Sequence, residues 1–169
     1  MTDTLRPPGA PSHSVAAPAP AGAAPAPRGL RLVLTAMTFA ILLIVVYWAI
    51  WFFVDRALLA SSHSAAYLSF ENAFPLADGW LALTLALGAL GIARRRPWGL
   101  LATLLAGGAG IYLGCMDVLF DLENGIYVLG PGGDSSGPVI EIALNILTFS
   151  LGIVIVAWVW RNRRWLLDA

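Results

Sequence analysis

The sequence predicts an all-α integral membrane protein: a bundle of four transmembrane helices with both termini cytoplasmic, preceded by a disordered Pro/Ala-rich N-terminal tail. Three observations carry this expectation. Of the 169 residues, 59% are hydrophobic and 12% charged, where a soluble domain carries about 25% charged residues. Four apolar runs approach or exceed the ~20 residues an α-helix needs to cross a hydrocarbon core of ~30 Å. Nine of the ten arginines cluster at one end of those runs, the end that the positive-inside rule assigns to the cytoplasm.

Residues 1–29 hold seven of the eleven prolines and almost no large apolar side chain. They cannot bury enough surface to offset chain entropy, so the tail is expected to be disordered, with His13 solvated. The domain that follows spans residues 30–165, with helices expected at about 31–54, 76–93, 97–120 and 138–160. Pro75 suits the first turn of the second helix, where its missing N–H has no intrahelical partner to lose. Ser135 or Ser136 is available to cap the fourth helix. The "RRRP" turn at 94–97 is minimal, which makes the second and third helices antiparallel neighbours.

The outer connections are longer. In "SSHSAAYLSFENAF", Ala66, Tyr67, Phe70 and Phe74 recur at helical steps. They predict a short interfacial helix over about 62–73, lying on the membrane surface or over the bundle mouth. "DLENGIYVLGPGGDSSGP" has five glycines and two prolines and reads as a loop that begins with a turn at Asn124 and Gly125 and includes a short hairpin around residues 126–129. Trp98, Trp158, Trp160 and Trp165 fit an inner aromatic belt; Tyr47, Trp48, Trp51 and Trp80 fit an outer one.

Composition excludes several functions. The formal net charge is zero, so no basic footprint for nucleic acid exists. Cys115 is the single cysteine, which removes internal disulfides and CxxC chemistry; it reads as a small core side chain. No HExxH or P-loop pattern occurs, and His63 is the one histidine outside the tail, so neither a haem nor a metal site is expected. No cofactor is expected. Arginine without lysine, beside abundant Ala, Gly and Pro, matches a GC-rich bacterial coding bias, and the expected location is the bacterial inner membrane.

The chemistry-bearing residues collect at the outer ends of the helices. Asp117 and Asp121 are four apart on the third helix and share a face, as do Glu141 and Asn145 on the fourth. Counting about 1.5 Å per residue puts Asp117, Glu141 and Asn145 at one depth, and Glu71 and Asp78 approach from the other side. Carboxylates shielded by a membrane tend to face a bundle interior or a wet cavity. A plainer account is available for each: Asp121, Glu123 and Asp134 as solvated loop residues, Glu141 as a partner of its helix dipole, and Arg56 as the structural counterion of Glu71, Asp78 or Asp117. Helix association is assigned to small residues, namely Gly88 on the second helix with Gly110 and Gly114 on the third.

These features predict a small non-enzymatic membrane protein with an acidic outward-facing mouth, in an accessory, interaction or ligand-binding role. The alternative is a carrier or binding protein for a cationic or lipidic ligand, with Asp117 and Glu141 as proton or cation partners. The expected partners are the lipid bilayer and either a second copy of the chain or another membrane protein.

Overall fold

The computed structural model describes residues 25–128 and 136–168. Most of the expected disordered tail, with His13, lies outside them, as do Asp134, Ser135 and Leu129 of the last connection. The described residues form helices and no strand. Four helical stretches are long and apolar enough to cross a membrane: Leu30–Leu58, Ala65–Ala93, Trp98–Asn124 and Pro138–Arg161.

In chain order, α1 is Leu30–Ile50, α2 Ala65–Glu71, α3 Phe74–Ala93, α4 Trp98–Asn124, α5 Ser136–Arg161 and α6 Arg163–Leu167. Helical winding continues past α1 as a π turn at Trp51–Asp55 and a 3-10 turn at Arg56–Leu58. Asp55 caps the start of the 3-10 turn, accepting a bond from the Ala57 N–H. The short α2 starts at Ser64, whose hydroxyl accepts from the Tyr67 N–H at 3.1 Å and satisfies one orphan donor of the first turn. Pro75 sits in the first turn of α3.

Two helix ends are closed by left-handed residues. After α3, Arg95 takes φ 51°, the Arg96 N–H reaches the Gly91 carbonyl at 2.8 Å and the Arg95 N–H reaches Ile92 at 3.0 Å. This is a Schellman closure. A side chain in that conformation costs roughly 1–2 kcal/mol, which the stacking of the Arg95 guanidinium 4.7 Å from the Trp165 ring centroid helps to offset. After α4, Gly125 at φ 66° does the same without a Cβ, and the Ile126 N–H returns to the Asp121 carbonyl. The expected end of this helix near residue 120 is therefore one turn short, and Asp121, Glu123 and Asn124 are helical.

The central helix is α4, packed along its length between α3 and α5, while α1 leans on α3. Close approach depends on glycine. A Cβ on Gly91 would stand 2.4 Å from the Gly99 Cα, and one on Gly107 would stand 2.3 Å from Val156 and 2.9 Å from the Gly152 carbonyl. Gly88 and Gly114 are also tight, with neighbours at 2.6 Å and 3.1 Å. A Cβ on Gly110 would make ordinary contact with the α5 backbone, 3.5 Å from the Thr148 carbonyl and 3.7 Å from the Gly152 Cα. The α4–α5 crossing lies at Gly107, almost one turn earlier, because Gly152 faces it there.

Apolar side chains divide into two groups. The larger joins all four long helices through Met37, Leu85, Ile92, Ala106, Ile155 and Val159 and continues to Leu166 of α6. The smaller gathers Trp51, Tyr67 and Ile126 at the acidic end, with Tyr47, Trp48 and Phe120 against them. Cys115 is exposed on the lateral surface of α4 rather than in the core. Its neighbours two and three positions on, Asp117 and Val118, take the partly covered positions that the α4 helical face leaves.

Candidate functional site

The acidic ends of α3, α4 and α5 meet under α2 and the aromatic end of α1. On α1, Tyr47 and Trp51 lie four apart and their rings stack, with centroids 6.1 Å apart. Trp48 packs edge-on to both. This cluster aims its polar atoms inward. Tyr47 donates its hydroxyl to Glu71 Oε2 at 3.1 Å, Trp48 Nε1 donates to Asp78 Oδ2 at 2.9 Å, and Trp51 Nε1 donates to Asn72 Oδ1 at 3.2 Å. Three of the four residues expected to form an outer aromatic belt are thus interior donors, and Trp80 alone remains exposed.

Glu141, in the second turn of α5, is 6% exposed. Its Oε2 accepts from Ser61 Oγ at 3.0 Å and from the Tyr67 hydroxyl at 3.2 Å, and the Tyr67 hydroxyl in turn accepts from the Ser61 N–H. A buried carboxylate needs such donors, because an unmet one costs its full desolvation. These bonds tie α2 down over the cavity, with Tyr67 fully buried beneath it. Of the face expected on this helix, Tyr67 and Phe70 point inward, and Phe70 stacks on Phe120 at 3.8 Å between centroids; Ala66 is exposed.

Asp121 corrects the reading of it as a solvated loop residue. It is 2% exposed, and Asn145 Nδ2 donates to its Oδ2 at 2.8 Å. The same Asn145 amide donates to the Tyr127 hydroxyl at 2.7 Å. Burial first, opposed by the Asn145 bond and assisted by the nearby Asp121 carboxylate, pushes the Tyr127 phenol up to about 12. Asp121, Asn145 and Tyr127 therefore form a satisfied junction between α4 and α5, set apart from the cavity. Glu123 is exposed.

The cavity itself is bordered by Glu71, Asp78, Asp117 and Glu141, with Tyr47 and Trp48, at one end and otherwise mainly by apolar side chains of α1, α3, α4 and α5, among them Leu43, Leu85 and Leu151, with Thr148 the polar exception. It holds about 880 Å³ of atom-free space, counted out to its open side. Asp117 lines it and accepts no hydrogen bond among the described residues. Glu71, 6% exposed, has one donor, Tyr47, for a group with about four lone-pair sites. The expected counterion does not arrive: Arg56 is exposed, and the charged neighbours of Glu71 and Asp117 are one another, Asp78, Asp121 and Glu141. Like charges this close in a shielded site repel, and a bound cation relieves that repulsion. Among the described residues no three His, Cys, Asp or Glu side chains converge tightly enough to hold a metal ion.

Of the six polar residues singled out by sequence, Glu71, Asp78, Asp117 and Glu141 come together on the cavity, while Asp121 and Asn145 pair beside it. Sequence reasoning missed the donors Ser61, Tyr47, Trp48 and Tyr67 and the acceptor Tyr127. The helical spacing of Tyr47 and Trp51 was the available signal for α1; Ser61 offered none.

The described residues are all-helical, with four helices long and apolar enough to cross a membrane. No protein-family model, no curated protein and no solved structure matches this chain.

Proposed function

We propose that this chain is a non-enzymatic membrane protein that binds a cationic ligand in its acid-capped cavity. Both termini lie in the cytoplasm of a bacterium and the acidic mouth opens on the outer side of the inner membrane. The single observation behind the reading is a cavity lined by four carboxylic acids, Glu71, Asp78, Asp117 and Glu141, and by no Arg or His. Glu141 and Asp78 already accept bonds from Ser61, Tyr67 and Trp48. That leaves Asp117 and the free lone pairs of Glu71 as the groups for the ligand's positive charge. The orientation rests on the arginines of the "RRRP" turn and of α5–α6, which gather at the opposite end.

The reading is tested by calorimetric titration of the purified protein with octylamine and with 1-octanol, its uncharged counterpart. Octylamine should bind at least about tenfold more tightly, a difference of about 1.4 kcal/mol, and Asp117→Asn should abolish the preference. Equal binding of amine and alcohol by the wild type would remove the basis for a cation site.

A further inference from the structure

The shape of the cavity narrows the ligand further, on the assumption that the cation-binding reading above holds. The lining runs along α5 from Glu141 to Ile155, a span of about 21 Å at the helical rise. Over most of that distance it is apolar. The acidic end is thus the head of a long slot.

One side of the slot lacks a wall. Helix α4 packs against both α3 and α5, and α1 packs against α3, but α1 and α5 do not pack along their lengths. They are tied at their two ends. At the arginine-bearing end Trp158 Nε1 of α5 donates to the Arg28 carbonyl just before α1, at 2.9 Å; at the acidic end Ser61, beyond α1, reaches Glu141 of α5 at 3.0 Å. Between those ties Leu43 and Ile44 of α1 face the slot from one side and Leu147 and Leu151 of α5 from the other. Leu147 lines the slot and is also 37% exposed on the molecular surface.

We infer that the ligand is a single-chain amphiphile with an amine head, which enters sideways from the bilayer between α1 and α5. Its ammonium meets Asp117 and Glu71, and its chain lies along the leucines of the slot. Lipid tails are as apolar as leucine, so moving a chain from bilayer to slot exchanges one apolar surrounding for another. Selection therefore falls on the head group. With four acidic residues and no arginine at the slot's head, an anionic phospholipid is repelled and a neutral alcohol gains nothing from the charge. An ammonium gains charge-assisted hydrogen bonds to carboxylates that have spare acceptor capacity.

Native mass spectrometry of the whole protein, released from detergent after incubation with a single probe, tests this. The probes are dodecylamine, butylamine, 1-dodecanol and phosphatidylglycerol. One dodecylamine per chain should be retained, at least about tenfold above butylamine or dodecanol at equal concentration. Leu43→Trp combined with Leu147→Trp narrows the gap and should cut dodecylamine retention about tenfold while leaving the weaker butylamine signal, which also reports an intact fold. Leu147→Phe alone serves if the double variant does not fold, with a smaller loss expected. Equal retention of both amines, unaffected by these substitutions, overturns the sideways-entering chain and leaves the cation site standing. Retention of neither amine overturns both. Preferential retention of phosphatidylglycerol, or a ligand-free dimer that closes the slot with a second copy, overturns the amphiphile.

Discussion

Adding one methyl group at Gly91 should part α3 from α4. The Cβ of Gly91→Ala would stand 2.4 Å from the Gly99 Cα, 2.7 Å from the Gly99 nitrogen and 2.8 Å from the Trp98 ring. Two of those neighbours are backbone, which no rotamer change can move aside. Restoring ordinary contact requires the helices to separate by about 1 Å, and a gap of that size forfeits a quarter to a half of each dispersion well at the crossing. The Arg95–Arg96 closure lies immediately beyond and fixes the other end of the lever. Overpacking of this kind typically costs 1–3 kcal/mol. Gly108→Ala is the matched control: nothing lies within 4 Å of its added Cβ, and alanine in a helix interior is favoured over glycine by ~1 kcal/mol. Both substitutions gain that propensity, so the two variants should differ by the overpacking cost, roughly 1–3 kcal/mol, with Gly108→Ala the more stable. Reversible SDS or thermal unfolding in a mild detergent, followed by tryptophan fluorescence, measures the difference. If Gly91→Ala proves as stable as Gly108→Ala, the close α3–α4 crossing is wrong.

Two further outcomes follow from the acidic end. Tyr67→Phe removes one of the two donors to Glu141 Oε2 and loosens α2; a loss of about 1–3 kcal/mol is expected, and adding Glu141→Gln should restore part of it by removing the buried charge, as a double-mutant cycle would read. The Tyr127 phenol, pushed up to about 12, should ionise later than an ordinary tyrosine. A folded-state value above the unfolded one means its contribution to stability is complete below pH ~10 and fades as the pH rises through ~12. Absorbance titration near 295 nm, compared with Tyr127→Phe, shows this component directly; ionisation near pH 10 would contradict the buried junction.

Much of the architecture could be read in the chain because a bilayer imposes so few solutions. Apolar runs of sufficient length must be helical, since no water is present to satisfy an open backbone, and four helices long and apolar enough to cross a membrane are found. The gathering of Glu71, Asp78, Asp117 and Glu141 on one cavity was legible as a depth coincidence, because rise per residue is nearly constant. Which of two neighbouring acids faces the cavity was not. Asp117 and Asp121 are one helical turn apart, yet the deeper lines the slot and the other is sealed by Asn145. That division depends on where α5 crosses α4. The crossing in turn depends on which glycines face each other, and Gly107 meets Gly152 where the run of small residues offered Gly110 and Gly114 equally.

The sequence by itself determined the four spans, the opposed distribution of arginine and carboxylate, and the depth of the acidic groups, because each follows from local hydropathy, charge and a fixed helical pitch. Only the tertiary structure decided that Tyr67, 74 positions away, holds Glu141, that Tyr47 and Trp48 turn inward to Glu71 and Asp78, and that α1 and α5 stand apart along a slot. Those are properties of how helix faces rotate against one another. Rotation is set by steric contact between residues distant in the chain, and no local pattern encodes it.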